Sequence, residues 1–135
     1  MLWRNGRGWR AHFLRTNDLA ASSTFCVDLD APVPLAILDR NCWWRDIPSN
    51  ALDSVGVKWK VAYSSESFAS IKSAIRAGLA IGVLPQSVLE TSMAMLTEVD
   101  GFPPLEPSQR AILLGTEAPR ELAAAMANAI RGAIN

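Results

Sequence analysis

The sequence predicts an α/β fold, with a mixed and mostly parallel sheet flanked by helices, on the basis of three observations. Short apolar runs at Val33–Leu38 and Ala80–Leu84 have the length and composition of buried strands. Between residues 68 and 79 apolar side chains recur every three or four positions, which is the period of a helix. An alternating segment at Lys58–Tyr63 precedes this helix, so the order is strand, helix, strand, as in a βαβ unit with parallel strands.

The helix of this unit has signals at both ends. Ser65 or Ser67 can accept hydrogen bonds from the first backbone N–H groups, and Gly78 is suited to the left-handed residue that ends a helix. Gly82, inside the following strand, is expected to allow close packing. The side chains expected on the buried face are Phe68, Ile71, Ala74, Ile75 and Leu79.

Weaker signals predict the other elements of the chain. The segment Cys42–Ser54 is typical of a helix that ends at Gly56, although Pro48 weakens it. The later elements are predicted as a short helix at Gln86–Leu89, a weak strand at Ala94–Glu98, a strand at Ala111–Leu114 and a helix at Arg120–Ile134. One stripe of that last helix carries Leu122, Met126, Ala129, Ile130 and Ala133.

Composition narrows the class of protein. The 135 residues include 13 basic and 13 acidic side chains, and a net charge of zero argues against a nucleic-acid-binding module. Residues 1–26 carry arginines without a clear period, so we expect this basic segment to be poorly ordered. The chain lacks an apolar run long enough for a membrane span and an apolar signal-peptide region, so we expect a cytoplasmic protein without membrane contact.

The residues needed for catalysis are scarce. His12 is the single histidine, and the acidic residues lack the paired spacing of metal or acid–base sites. Cys26 and Cys42 are too few for a zinc site or a disulfide framework, and we expect both to be reduced thiols. The prediction is a protein that is not an enzyme and has no cofactor.

Two polar turns are the candidate binding site. Ser64, Ser65, Glu66 and Ser67 lie between a strand and the start of a helix, where free N–H groups and the helix dipole favour anions. Each serine taken singly is better explained as a cap of the helix. Because open α/β sheets bind ligands outside the carboxyl ends of parallel strands, the cluster as a whole is also a candidate for a ligand cleft.

The second turn follows the strand Val33–Leu38. Here Arg40 can pair with a carboxylate and Asn41 can both donate and accept hydrogen bonds. Cys42 belongs to the same turn, and Trp43 or Trp44 is better explained by packing than by ligand binding.

From Pro32 onward the order of motifs resembles the effector-binding region of LysR-type bacterial transcriptional regulators. The matching segments are PVPLAIL (32–38), LDSVG (52–56), KWKVAYSSES (58–67), IKSAIRAGLAIGVLP (71–85) and APRELAAAMANAIRGAIN (118–135). The resemblance implies a fold similar to type 2 periplasmic binding proteins, in which a small-molecule effector binds between two lobes. It further implies a second subdomain over residues 27–108, and the returning strand and C-terminal helix of the first subdomain over 109–135.

The sequence departs from the pattern of that family. A helix-turn-helix and much of a first subdomain are missing, so we expect a truncated chain without specific DNA binding that senses a small, anionic metabolite. The strand Ala111–Leu114 and the last helix would then lack neighbours. They must fold back, pair with residues 1–25, or pair with another copy, and we expect self-association. The alternatives are a stand-alone solute-binding protein of the same fold, or an adaptor that pairs with full-length regulators.

Overall fold

A computed structural model of the chain describes residues 2–5, 8–15, 17–41, 43–115 and 117–134. These residues form two compact units, one made of Met1–Arg15 with Ser108–Asn135 and the other of Thr16–Pro107. In chain order the strands and helices are β1 (Leu2–Asn5), β2 (Gly8–Arg15), β3 (Asn17–Ser22), β4 (Val33–Leu38), α1 (Ile47–Ser54), β5 (Trp59–Ser65), α2 (Phe68–Arg76), β6 (Gly82–Pro85), β7 (Met93–Leu96), β8 (Ser108–Leu113) and α3 (Arg120–Ile134). Of the helices in the described residues, none is both long and apolar enough to cross a membrane.

The strands of the larger unit are arranged in the order β7-β3-β6-β4-β5. Strands β4 and β5 are parallel, and a parallel bridge from Leu35 to Ile81 brings the start of β6 to the other side of β4. Strand β3 runs antiparallel to both β6 and β7. The predicted α/β fold with a mixed sheet is therefore confirmed, with β4 parallel to both β5 and β6 and β3 antiparallel to both β6 and β7. The βαβ unit also has parallel strands as predicted, although β4 lies between β5 and β6.

Strand β5 lies at an edge of this arrangement, because among the described strands it pairs with β4 alone. The register shifts between Leu35 and Ala36, which pair with Val61 and Tyr63, so Ala62 has no counterpart in β4. Lys60 and Val61 are exposed to solvent on this strand.

The core is divided between the two faces of the sheet. One face, covered by Leu52 of α1 and by Phe102, contains the larger cluster of buried side chains: Leu19, Ala21, Val33, Leu35, Ile37, Leu52, Ile81, Val83 and Phe102. The other face, covered by α2, contains Ala20, Ala36, Ile71, Ala74, Ile75, Ala80, Leu84 and Met93. Alternating side chains of the strands thus lie on opposite faces, as in a sheet that is buried on both sides.

Both helices of the larger unit start and end at recognisable residues. Pro48 lies in the first turn of α1, where a missing N–H costs nothing, so it begins the helix instead of breaking it. Gly78 follows α2 with a φ of +77°, as its predicted role at the helix end requires. The prediction that Leu79 lies on the buried face is wrong, since the chain turns at Gly78 and leaves Leu79 60% exposed.

Gly82 allows α2 to lie close to β6. A Cβ atom at this position would be 2.8 Å from Cδ1 of Ile75 and 3.0 Å from the carbonyl oxygen of Ala36. Distances this short are incompatible with normal packing, so the predicted close approach at Gly82 is confirmed.

A salt-bridge cluster ties α2 to the segment before β7. The carboxylate of Glu90 lies 2.7 Å from Nζ of Lys72 and 3.6 Å from Nη1 of Arg76. The hydrogen bond from Lys72 and the positive charges of both residues lower the pKa of Glu90, and this outweighs the opposing effect of partial desolvation.

The first strands of the chain differ from the sequence-based expectation. The segment 1–26 was expected to be poorly ordered, yet it contains three strands, and β3 is buried between β6 and β7. Asn17–Ser22 is thus part of the larger unit, although residues 27–108 were expected to form it alone.

The smaller unit combines an antiparallel sheet with α3. Its strand order is β1-β2-β8, and Arg15 at the end of β2 is paired with Ser108 at the start of β8. The predicted strand at 111–114 therefore has a neighbour in β2. Helix α3 occupies the predicted bounds and buries Ala127, whereas Leu122, Met126 and Ile130 of the predicted stripe are exposed.

Candidate functional site

The two predicted polar turns lie side by side. Parallel pairing of β4 with β5 sets Leu38 beside Ser65, so both strands end at the same edge of the sheet. The backbone N–H of Asp39 donates to the carbonyl oxygen of Ser65 at 2.8 Å. Nε of Arg40 donates to the carbonyl oxygen of Glu66 at 2.7 Å. The structure therefore brings Arg40 against the serine turn, and this contact connects the two predicted halves of the site.

The serines shape the start of α2. Ser67 is the N-cap residue, and its hydroxyl oxygen accepts from the backbone N–H of Ser70 at 3.4 Å. The hydroxyl oxygen of Ser65 accepts from the N–H of Ser67 at 3.1 Å. The capping role predicted for one of these serines is confirmed for Ser67, whereas contact with a ligand remains a prediction for all of them.

Charges of both signs surround the two turns. Nη1 of Arg45 lies 3.3 Å from a carboxylate oxygen of Asp39, and both side chains are about half exposed. A surface pair of this kind adds little stability, but it offsets the negative charge of Asp39 beside Arg40. The side chain of Glu66 adds one negative charge to the opposite turn.

The remaining residues of the two predicted turns differ in their exposure to solvent. Asn41, Ser64 and Glu66 are exposed to solvent at the same edge of the sheet. Trp44 is partly buried against the cluster on the α1 face, so the packing role predicted for at least one of the two tryptophans is confirmed. Cys42 lies outside the described residues, and Cys26 is an exposed free cysteine.

A buried polar residue near this edge was missed by the sequence analysis. Asn17 is 1% exposed, and within the described part of the chain neither its amide nitrogen nor its amide oxygen has a hydrogen-bond partner. One buried carboxylate oxygen of the adjacent Asp18 is likewise without a partner among those residues. A single asparagine at the start of a strand that was not predicted gives no sequence signal, because its burial depends on segments distant in the chain.

Two open cavities lie away from the predicted turns. One, of about 380 Å³, lies between β5 and the outer face of α2, with Tyr63, Ser70, Ser73 and Leu79 in its lining. The other, of about 450 Å³, is lined by Asp53, Lys58 and Trp59 near the opposite ends of β4 and β5. In the second cavity Nε1 of Trp59 donates to Asp53 at 2.8 Å.

Parallel strands with polar turns at their carboxyl ends are typical of α/β domains that bind small ligands at that edge of the sheet. The chain belongs to the LysR substrate binding domain family, whose sequence pattern matches residues 19–133. The resemblance to the LysR family seen in the sequence is therefore confirmed.

Three comparisons illustrate the relationship. The chain is 26% identical over 98 residues to the HTH-type transcriptional regulator PecT of Dickeya dadantii (strain 3937), covering 73% of this chain and 31% of PecT. It is 29% identical over 103 residues to the HTH-type transcriptional regulator DgdR of Burkholderia cepacia, covering 76% of this chain and 35% of DgdR. The chain thus spans about a third of the length of these curated relatives.

The third comparison is a solved structure, the bromide ion-bound regulatory domain of HypT from Salmonella typhimurium. It has a TM-score of 0.62 and 14% sequence identity, over 91% of this chain and 64% of the HypT chain. At this level of identity the similarity establishes the fold.

Proposed function

We propose that the chain is a non-catalytic sensor that binds a small anionic effector at the carboxyl ends of β4 and β5. The observation that carries the proposal is the 2.7 Å hydrogen bond from Nε of Arg40 to the carbonyl oxygen of Glu66. This bond fixes a guanidinium group between the two polar turns. A guanidinium has further N–H groups, and their forked geometry matches a carboxylate or phosphate.

The start of α2 supports the same ligand charge. Helix α2 begins next to Ser67, so the positive end of its dipole lies at the edge where Arg40 is held. Because Asp39 is paired with Arg45, its charge is partly offset. Glu66 opposes an anion, and its exposed carboxylate favours a ligand small enough to contact Arg40 without crossing the side chain of Glu66.

A solved structure with the same fold supports an anionic ligand. The regulatory domain of HypT, which shares the fold, has been determined with a bromide ion bound. An anion in a related regulatory domain supports an anion as the ligand class of this chain.

Sensing by such a domain requires two conformations with different affinities for the effector. The free energy available for regulation is the difference in binding free energy between those conformations. We propose that this chain contributes this differential affinity in a regulator of the LysR type.

The test is thermal denaturation at constant ionic strength with sodium phosphate, sodium succinate or sodium bromide, compared with sodium chloride. We expect at least one of the three anions to raise the Tm of the wild-type chain, because ligand binding to the native state stabilises it. Arg40→Gln should remove most of that shift. Lys58→Gln is the matched control, since Lys58 is an exposed cation just before the start of β5, far from the turn that follows this strand. An equal shift in wild type and Arg40→Gln, or no shift with any anion, contradicts the proposal.

We also propose self-association through α3. Its exposed stripe contains Leu122, Met126, Ala129 and Ala133 at spacings of four, three and four residues, which is the seam pattern of paired helices. The small alanines allow close approach of a second copy of the same helix. A two-fold arrangement would cover both stripes at once.

A further inference from the structure

The side-chain amide of Asn17 is buried without a hydrogen bond to any described residue. Its side chain is 1% exposed, and among the described residues neither polar atom has a hydrogen-bond partner. An unsatisfied polar group in the interior costs about 1–3 kcal/mol, so buried amides are nearly always bonded to protein, water or ligand. The same site filled by an apolar side chain would avoid this cost.

The position of Asn17 in the sheet places it at the ligand edge. Asn17 opens β3 and is paired with Pro85, the last residue of β6. Hydrogen bonds from Ala36 N–H to the oxygen of Ile81, and from Ile81 N–H to the oxygen of Pro34, hold β6 beside β4. Asn17 therefore lies at the same carboxyl edge as Arg40. With β6 between them, β3 and β4 are about 10 Å apart, which is twice the usual spacing of neighbouring strands.

The Asn17 amide lies on the face of the sheet against which Trp44 packs. Because side chains alternate along a strand, Asn17 lies on the same face as Leu19 and Ala21. Trp44, four residues after Arg40, packs against that same cluster. The turn that follows β4 thus leads to the face on which the Asn17 amide is buried.

We propose that the Asn17 amide binds the uncharged, hydrogen-bonding end of the effector whose anionic end contacts Arg40. The inference rests on the proposed function and specifies the class of ligand. A second charge at Asn17 would have to be buried beside Leu19 and Ala21, which is far more costly than burying an amide or hydroxyl. The amide both donates and accepts, so its best complement is a carboxamide or a hydroxyl. The effector is then a short anion with one neutral polar end.

The test compares two probes of equal length, succinate and its monoamide succinamate, by isothermal titration of the wild-type chain and of Asn17→Leu. We expect succinamate to bind the wild type about tenfold more tightly than succinate, since one satisfied hydrogen bond is worth about that factor. In Asn17→Leu the two probes should differ by less than about twofold. The Tm of ligand-free Asn17→Leu should be higher than that of the wild type, because an unsatisfied amide is replaced by an apolar group of similar branching.

Three results would overturn the inference. Equal affinities for the two probes in the wild type, or no binding of either, exclude the ligand class. A preference for succinamate that survives in Asn17→Leu shows that Asn17 does not bind the neutral end of the ligand. A lower Tm of Asn17→Leu without ligand shows that the amide is structurally satisfied. If Asn17→Leu fails to fold, Asn17→Ala serves for the comparison of the probes.

Failure of the inference can be told apart from failure of the proposed function. Succinamate binding that depends on Arg40 but is unchanged by Asn17→Leu leaves the anion site standing and removes this inference. Binding that is indifferent to Arg40→Gln removes the anion site itself.

Discussion

The hydroxyl of Ser67 accepts from the N–H of Ser70, and this bond marks where α2 begins. We expect Ser67→Ala to lower the free energy of unfolding by about 0.5–2 kcal/mol, the usual cost of removing an N-cap. Affinity for an anion should be unchanged, since the oxygen already serves the helix. Urea denaturation and isothermal titration measure the two quantities. Ser73→Ala, at an exposed position in the middle of α2, is the control and should shift stability by less than about 0.5 kcal/mol.

A Ser67→Ala chain with normal stability but lost anion binding would show instead that the serine contacts the ligand. The same comparison applies to Ser65, whose oxygen accepts from the N–H of Ser67. The predicted serine cluster would then be a binding site in its own right.

For single residues, the sequence predicted helix caps and glycine roles better than it predicted burial and exposure. The capping serines and the glycines at positions 78 and 82 were predictable, because a cap, a left-handed residue and a close approach each require a particular residue type. The burial of Asn17 and the exposure of Leu79 were not. Both depend on how distant segments meet and not on residues nearby in the chain.

At the scale of elements, Glu90 connects α2 to the segment before β7 through Lys72 and Arg76. The pKa of Glu90 is lowered in the folded chain, chiefly by the hydrogen bond from Lys72. The ionised carboxylate of Glu90 therefore contributes its full stabilisation of the fold above the pKa of an unfolded glutamate. This stabilisation is lost as the pH falls through the lowered pKa of the folded chain. We expect the stability of the wild type to fall more steeply than that of Glu90→Gln between about pH 5 and pH 3.

The measurement is urea denaturation at a series of pH values. Glu106→Gln, which removes an exposed carboxylate from the loop before β8, should retain the pH dependence of the wild type. A Glu90→Gln chain that also keeps that dependence would show that the cluster does not stabilise the fold.

Elements with a strong local pattern were predicted closely. Helix α3 spans the predicted residues 120–134, and β4 spans the predicted 33–38. Strand β3 was missed because Asn17–Ser22 contains asparagine, aspartate, serine and two alanines, which have low strand propensity. Its conformation is set by pairing with β6 and β7, whose residues lie more than sixty positions later in the chain.

For the molecule as a whole, the exposed stripe of α3 makes an oligomeric state testable. Leu122 and Met126 are 59% and 58% exposed, and contiguous apolar surface of this kind promotes association. We expect light scattering to give a dimer or larger species for the wild type. Met126→Gln combined with Ile130→Gln should shift the mass toward a monomer, because glutamine keeps the helix propensity and removes the apolar contact.

Asn128→Gln, a polar exchange at an exposed position off that stripe, is the control and should leave the mass unchanged. A wild-type chain that is monomeric at every concentration would refute self-association. It would also indicate that α3 is stabilised within its own unit.

The edge strand β5 bears on which kinds of assembly the chain can form. An open edge invites another strand to extend the sheet, and repeated extension leads to fibrils. In β5 the register shift at Ala62 interrupts the regular spacing of N–H and carbonyl groups, and Lys60 places a charge on the same short strand. Irregular spacing and edge lysines are common means by which natural sheets discourage such growth. We therefore expect copies of this chain to associate through closed contacts between side chains and not through open-ended extension of the sheet.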